Sequence, residues 1–158
     1  MIQKADISQL PQILAIYEKA RQFMAQSGNP DQWGTAYPPE EMIRQDIMDG
    51  KSYVNLDGAH IRAVFYFAVE EDPTYSYIEG AWLNAGPYGV IHRIAVGESG
   101  NGVAAECFAF AAQRCDNIRI DTHEKNIPMQ RCLAKHGFKR CGTIYLEDGD
   151  PRIAYQKE

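Results

Sequence analysis

Apolar residues recur with helical spacing in the first third of the chain. A D-x-x-Q start at Asp6 precedes apolar residues near this spacing, which predicts a helix that runs to about Gln26. Prolines and acidic residues predict that a second helix begins at Pro38, and this helix should end at Gly50. The loop between the two helices carries two large aromatic residues, Trp33 and Tyr37.

Further along, short apolar segments between turn residues predict strands. Ser52–Leu56 and Ile61–Val69 are separated by an Asp-Gly pair that is typical of a hairpin turn. Tyr77–Trp82 forms either a further short strand or an insertion, and Gly142–Leu146 pairs with Arg152–Gln156 in a terminal hairpin. No repeat or linker interrupts the pattern, so we expect a single domain over residues 1–158.

The most informative stretch predicts a strand, a glycine-rich turn and a helix. Val90–Val96 is apolar and β-branched at both ends, which indicates a buried strand. Three glycines lie between Gly97 and Gly102, and helical spacing begins at Val103. The first N–H groups of such a helix are unpaired. The turn is therefore either an anion site for a phosphate-bearing ligand or an ordinary turn between a strand and a helix.

A second unit of strand and helix follows. Ile118–Thr122 predicts a short strand, Asn126 can cap the next helix, and Gly137 is placed to end it. Antiparallel strands come first, a parallel strand–helix–strand unit comes next, and a hairpin comes last. This order predicts an α/β or mixed α+β fold.

Composition excludes several classes of protein. The net charge of −5 argues against nucleic-acid binding, and no apolar run approaches the roughly 20 residues that cross a membrane. The first residues lack the apolar core of a signal peptide, so we expect a cytoplasmic protein. The four cysteines and four histidines show no metal-ligand spacing, and we predict reduced thiols and no metal site.

The glycine turn fits neither the G-x-x-x-x-G-K-[ST] motif nor a G-x-G-x-x-G dinucleotide motif. Gly102 and Ala104 instead match the Arg/Gln-x-x-Gly-x-Gly/Ala coenzyme A turn of the GCN5-related N-acetyltransferase (GNAT) family, with Ser99 in place of the Arg or Gln. Four later residues resemble the second cofactor motif of that family: Asn126, Lys135, Gly137 and Phe138. The chain thus resembles the family from Asp6 to Tyr155.

The resemblance implies a central, mostly antiparallel sheet with flanking helices. In this fold the parallel fourth and fifth strands, here Val90–Val96 and Ile118–Thr122, splay apart. The pantetheine arm of acetyl-CoA would then pair like an added strand with the backbone of Ile94, Ala95 and Val96. The pyrophosphate would be held by Gly100, Asn101, Gly102, Val103 and Ala104, and the other side of the cofactor would be lined by Asn126 and Met129.

The implied function is that of an acyltransferase, an acetyl-CoA-dependent N-acetyltransferase acting on a primary amine, with a small molecule as the expected acceptor. The amine attacks directly in a ternary complex, and it must first lose a proton because its pKa is near ~10.4. His92 is the leading base, since strand alternation places it on one face with Ile94 and Val96. Asp121 is the second candidate for this base, and Glu79 is the third.

The leaving thiolate also needs a proton. Many members of the family use a tyrosine two residues before the lysine of the second motif, where this chain has Leu133. Tyr145 or water could replace that acid, because a thiol with a pKa near ~8.5 is a tolerable leaving group. The departures at Leu133 and Ser99 motivate an alternative, a degenerate protein that binds acyl-CoA with little transferase activity. A structural domain without a cofactor is the third hypothesis.

Loop aromatic residues are candidates for the acceptor site. Trp33, Tyr37 and Tyr88 either line a pocket or form a small loop core. An aromatic wall together with Asp121 or Glu79 would suit a small cationic amine. The terminal hairpin should leave an exposed sheet edge, which favours a homodimer.

Overall fold

The computed structural model describes residues 1–97 and 102–158. Helices α1–α4 span Leu10–Gln26, Glu40–Met48, Val103–Ala112 and Ile127–Lys135, with short 3₁₀ helices at Ile7–Gln9 and Pro73–Tyr75. Strands β1–β8 span Ile2–Lys4, Ser52–Asp57, His60–Val69, Glu79–Gly80, Gly89–Val96, Ile118–Thr122, Lys139–Tyr145 and Pro151–Lys157. Within the described residues, none of the helices has the length and apolar character needed to cross a bilayer.

The predicted helix starts are confirmed, with small shifts. Asp6 and Gln9 form a capping box around the first 3₁₀ helix, and α1 continues from it. Pro39 occupies the N-cap of α2, so this helix is shorter than the sequence pattern predicts. Asn126 caps α4 by accepting a hydrogen bond from the Met129 N–H.

The sheet has the strand order β1-β2-β3-β5-β6-β8-β7-β4, and the mostly antiparallel mixed α/β fold is confirmed. The parallel pair is β5 and β6, not the fourth and fifth strands of the chain, because the two-residue strand β4 precedes them. This pair meets only at Gly89–Ile118 and Val90–Arg119. Beyond these residues β5 and β6 separate, which gives the splay that the resemblance implies.

Strand β4 also changes the expected sheet edge. Its Glu79 and Gly80 pair with Thr143 and Gly142 of β7. The sequence analysis expected the terminal hairpin to leave an exposed sheet edge. Part of that edge is covered, because β4 pairs with part of β7. The homodimer stays a prediction with a weaker structural basis.

A β-bulge divides β5. Val64 pairs with Ala95 and Tyr66 pairs with His92, so the one residue between them on β3 faces two residues on β5. One of the two is Arg93, which adopts a φ of +50°. The extra residue reverses the alternation of side chains beyond it.

The prediction that His92 shares a face with Ile94 and Val96 is therefore wrong. Ile94 and Val96 pack in the core beneath α3 and α4. His92 lies on the opposite face, where its ring centroid is 5.7 Å from that of Tyr66 and 6.0 Å from that of Tyr75.

Two separate clusters cover the face that carries His92. Helices α1 and α2 pack over β2, β3 and the end of β5. Tyr75, from the second 3₁₀ helix, packs with Val90, Ile144 and Ala154. Because these clusters cover different parts of the sheet, a cavity opens between them at the splay.

Candidate active site

A cavity of about 560 Å³ lies where β5 and β6 separate. Its walls come from both strands, the N-terminus of α4, the α1–α2 loop, the second 3₁₀ helix and the terminal hairpin. The volume is typical of small-molecule sites. Two predicted catalytic residues, His92 and Asp121, both line it.

His92 is paired with a carboxylate that sequence reasoning missed. Its Nε2 lies 2.7 Å from Oδ2 of Asp72. Asp72 also caps the second 3₁₀ helix by accepting hydrogen bonds from the backbone N–H of Thr74 at 2.9 Å and its hydroxyl at 2.7 Å. Burial acts to raise the pKa of Asp72, but the hydrogen bonds from His92 and Thr74 outweigh it and lower the pKa to about 2.

This pairing decides which nitrogen of His92 can act as a base. Asp72 is ionised at neutral pH and can only accept, so the neutral imidazole carries its proton on Nε2. The lone pair then lies on Nδ1. A carboxylate that orients the ring in this way also stabilises the imidazolium that forms when the base takes a proton.

Asp121 is held by another residue that the sequence analysis did not select. The hydroxyl of Tyr75 donates to Oδ2 of Asp121 at 2.7 Å. Burial raises the pKa of Asp121, although His92 and the Tyr75 hydroxyl act to lower it. Burial also raises the pKa of Tyr75, so this hydroxyl remains a donor at neutral pH.

The bulged residue Arg93 is fixed by a buried ion pair. Its Nε and Nη2 each donate to a different carboxylate oxygen of Asp46 on α2, both at 3.0 Å. The hydroxyl of Tyr17 donates to the Arg93 carbonyl at 2.8 Å. These bonds from α1 and α2 hold the strand in the conformation that directs His92 into the cavity.

The predicted acceptor residues divide into two groups. Trp33 and Tyr37 line the cavity, with ring centroids 6.3 Å apart. Tyr88 does not line it; its hydroxyl accepts a hydrogen bond from the Asp72 N–H at 2.8 Å, which places it next to the pair of His92 and Asp72.

The structure does not bring Glu79 and Tyr145 to the cavity. Both lie on β4 and β7, which follow β8 in the sheet and are separated by it from the splay. These two residues bond to each other, and the hydrogen bond to Glu79 raises the pKa of Tyr145. The roles expected for Tyr145 as an acid and for Glu79 as a base or acceptor ligand stay predictions, since neither side chain lines the cavity.

The backbone of β5 is suited to pair with an extended ligand. The N–H of Gly97 donates to the Arg62 carbonyl on β3 at 2.8 Å. Peptide groups alternate along a strand, so those of Ile94 and Val96 point away from β3, and that of Ala95 points toward it. The peptide groups of Ile94 and Val96 therefore face the gap between β5 and β6.

The N-terminus of α3 is the second feature suited to the cofactor. Its N-cap, Gly102, has a φ of +69°, and no side-chain cap bonds to the helix, in contrast to α4. The first amides, from Val103 and Ala104, are therefore of the unpaired kind that binds phosphate. Gly100 and Asn101, predicted to share this role, lie outside the described residues.

The α1–α2 loop is joined to the N-terminus of α4. Asn126 donates through Nδ2 to Oε1 of Gln32 at 2.9 Å, and Asn29 donates to the same oxygen at 2.8 Å. Lys125 and Asp31 form an ion pair at 2.9 Å beside them. Asn126 and Met129, predicted on the cofactor side, line the cavity at this junction.

One further residue bears on the chemistry. Leu133, at the position of the family's usual acid, is fully buried beneath the sheet. Within residues 1–97 and 102–158, no group of three His, Cys, Asp or Glu side chains is arranged to hold a metal ion.

A scan against protein-family models found no match, and neither did a search of curated proteins. Among solved structures, a GNAT family acetyltransferase from Streptococcus agalactiae is 32% identical, with a TM-score of 0.90 over 99% of this chain and 94% of that one. A GNAT family acetyltransferase from Listeria monocytogenes is 19% identical, with a TM-score of 0.73 over 100% and 94% of the two chains. A Salmonella typhimurium structure solved with its cofactor acetyl-CoA is 13% identical, with a TM-score of 0.66 over 100% and 92%.

Proposed function

The chain belongs to the GNAT family of acetyltransferases, and from that premise we propose that it transfers the acetyl group of acetyl-CoA to the primary amine of a small molecule. The observation that carries this proposal is the pairing of His92 with Asp72 inside a cavity at the splay of β5 and β6. In this proposal a base, an open strand edge and an uncapped helix N-terminus together form one site.

Acetyl-CoA supplies the thioester that the amine attacks. Ile94 and Val96 would pair with the pantetheine arm through their backbone, with Ala95 between them, and one strand amide would polarise the thioester carbonyl. The amides of Gly102, Val103 and Ala104, with those of Gly100 and Asn101, would hold the pyrophosphate. Asn126 and Met129 would contact the other side of the arm.

The reaction proceeds by direct attack in a ternary complex. Nδ1 of His92 takes a proton from the acceptor ammonium, and Asp72 stabilises the imidazolium that results. The neutral amine forms a bond to the thioester carbon, its nitrogen loses a second proton to solvent, and the carbon–sulfur bond breaks to leave the amide. The thiolate leaves and takes a proton from solvent, since a thiol pKa near ~8.5 makes it a tolerable leaving group. Asp121 attracts the cationic acceptor to the same end of the cavity.

One specific observation favours a second candidate function. Leu133 carries no hydroxyl, and Tyr145 lies outside the cavity, so neither position supplies the usual acid. A protein that binds acyl-CoA with little transferase activity remains the alternative. This alternative predicts that the protein binds acetyl-CoA but that the thioester is not consumed when any amine is added.

The proposal also covers the charge of the acceptor, the location of the protein and its partners. A net charge of −5 and acidic residues around the cavity suit a cationic amine and disfavour nucleic acid. We place the protein in the cytoplasm, without a membrane partner and without a metal, and a homodimer is compatible with the uncovered parts of the sheet edges.

The test combines calorimetry with turnover. The purified protein is titrated with acetyl-CoA, and an amine panel is then assayed by detection of the free thiol. Micromolar binding with thiol release that depends on an amine supports the transferase. Binding without release from any amine supports the alternative, and the absence of binding contradicts both.

A further inference from the structure

A buried arginine lines the cavity and takes no part in the proposed chemistry. Arg152, on β8, is 6% exposed. Its Nη1 donates to the Pro151 carbonyl at 2.8 Å, and its Nη2 lies 3.5 Å from the Gln32 carbonyl. Among the described residues, no carboxylate lies within ion-pair distance of this guanidinium.

The other arginine of the cavity differs in this respect. Arg93 has Asp46 as a counter-ion through two hydrogen bonds at 3.0 Å. Burial of a charged group without a counter-charge is costly, so buried guanidinium groups are normally paired. Arg152 donates hydrogen bonds only to backbone carbonyls, although its charge also acts to lower the pKa of the buried Asp121 carboxyl. Because no carboxylate bonds to it and it borders open space, its geometry indicates that a hydrogen-bonded counter-charge arrives with a ligand.

The sheet register places this charge beside the acid–base groups. Asp121 pairs with Ala154, and Arg152 lies two residues from Ala154, on the same face of β8. His92 and Asp72 face Asp121 across the splay. The cavity therefore presents carboxylates at one position and an unpaired guanidinium at another, a pattern that matches a molecule carrying both an ammonium and a carboxylate.

The charge at the rim favours a carboxylate over a phosphate. Asp148 and Asp150 are exposed on the hairpin that leads into β8, and Asp31 is exposed on the loop opposite. Because Lys125 is paired with Asp31, the two hairpin carboxylates carry the uncompensated negative charge at this rim, and they would repel a dianion more strongly than a monoanion. A planar carboxylate also matches the fork of the guanidinium group.

We propose that Arg152 binds the carboxylate of the acceptor, and that the acceptor is therefore an amino acid whose amino group is directed toward His92 and Asp121. The inference rests on the proposed function, because it names the substrate class of the same cavity. Arg152 contacts the part of the substrate that does not react, so it determines specificity.

The experiment compares amino acids with the amines obtained by removing their carboxyl group. Both members of each pair are assayed for turnover with acetyl-CoA. Both are also titrated calorimetrically into the protein saturated with CoA, which carries no acetyl group that could be transferred. The variants are Arg152→Gln, Arg152→Lys and, as a control, Arg140→Gln, which removes an exposed arginine on β7 outside the cavity. Acetyl-CoA affinity reports whether each variant folds.

We expect the wild-type protein to prefer an amino acid over its decarboxylated amine by about 100-fold in kcat/KM. Arg152→Gln should remove most of this preference through KM, Arg152→Lys should restore part of it, and Arg140→Gln should leave it unchanged. Preference for amines without a carboxylate, or for phosphorylated amines, would overturn the inference while the transferase stands. An amino acid that binds through Arg152 without turnover would support the inference and contradict the transferase. Binding of acetyl-CoA with neither binding nor turnover of any amino acid would overturn the inference.

Discussion

The imidazole of His92 lies 2.7 Å from the carboxylate of Asp72, which is the N-cap residue of the second 3₁₀ helix. The two residues are 20 positions apart in the chain, and β5 and a 3₁₀ helix bring them together. Because Asp72 also holds the 3₁₀ helix through Thr74, the orientation of the base depends on the fold of that helix.

Replacement of His92 tests the base. We expect His92→Gln to lower kcat by about 10²-fold near pH 7, because the acceptor amine then has no positioned group to remove its proton. The deficit should narrow as pH approaches the amine pKa of ~10.4, where the neutral amine forms unaided. Steady-state rates across pH measure this.

The control is His136→Gln, at the C-cap of α4 and outside the cavity. It should leave kcat and its pH profile unchanged. Equal loss in both variants, or a deficit for His92→Gln that persists at high pH, would contradict a role as base.

Replacement of Asp72 tests the orienting carboxylate and has a pH signature. In Asp72→Asn the side chain can still cap the second 3₁₀ helix but no longer carries the negative charge beside His92. We expect kcat to fall by at least about 10²-fold. The pKa of Asp72 is lowered on folding from 3.8 to about 2, so its ionised form stabilises the native state above the unfolded pKa. The stability difference between wild type and variant should shrink as pH falls from 3.8 through about 2.

Urea unfolding between neutral and acidic pH measures that difference. Asp6→Asn is the matched control, because Asp6 also caps a 3₁₀ helix but lies exposed and away from the cavity. It should retain full activity. A stability difference for Asp72→Asn that grows as pH falls would have the wrong sign for this assignment.

Substitution of two glycines with positive φ distinguishes the effect of backbone strain from the effect of a lost ligand contact. Gly102 has a φ of +69° and Gly149 a φ of +89°, and a Cβ at either would meet no atom of residues 1–97 and 102–158 within 4 Å. Valine at each position should therefore cost a similar ~1–2 kcal/mol of stability. Only Gly102→Val should weaken acetyl-CoA binding, by at least about tenfold, since its amides adjoin the proposed pyrophosphate site.

Calorimetric titration with acetyl-CoA and urea unfolding of both variants supply the comparison. Unchanged affinity in Gly102→Val would remove the N-terminus of α3 from the cofactor site. Weakened affinity in Gly149→Val would show that strain alone accounts for the loss.

The ion pair of Asp46 and Arg93 predicts a large effect on stability. Asp46→Ala leaves a buried guanidinium without its counter-ion, and we expect a loss of about 3 kcal/mol in the free energy of unfolding. Glu40→Ala on the same helix removes an exposed pair with Arg44 and should cost less than about 1 kcal/mol. Similar small losses in both variants would mean that Arg93 does not depend on Asp46.

Local patterns were enough to predict the elements that bind the cofactor in the proposal. The strand at Val90, the helix at Val103 and the cap at Asn126 each depend on residues a few positions apart, so their signatures lie in short windows of sequence. The 3₁₀ turn that carries Asp72 also has a local signal, an aspartate before Pro-Thr, although this signal does not indicate which residue the carboxylate meets.

The rest of the site depends on contacts between distant elements. Asp72 and Arg152 line the cavity, and Tyr75 bonds to Asp121, because sheet order and register bring distant segments together, which no short window encodes. The same order removes Glu79 and Tyr145 from it. The face of His92 was predicted wrongly because strict alternation was assumed through Arg93, and a positive φ at an arginine has no sequence signature.

The bulge at Arg93 makes β5 two functional segments that can change independently. The segment before it supplies side chains such as His92 to the face where the acceptor is proposed to react. The segment after it turns the side chains of Ile94 and Val96 into the core and leaves their peptide groups for the cofactor contact that we propose. Selection for a new acceptor could therefore alter the first segment while the second keeps its geometry. An insertion or deletion at the bulge would exchange the two faces and abolish both roles together.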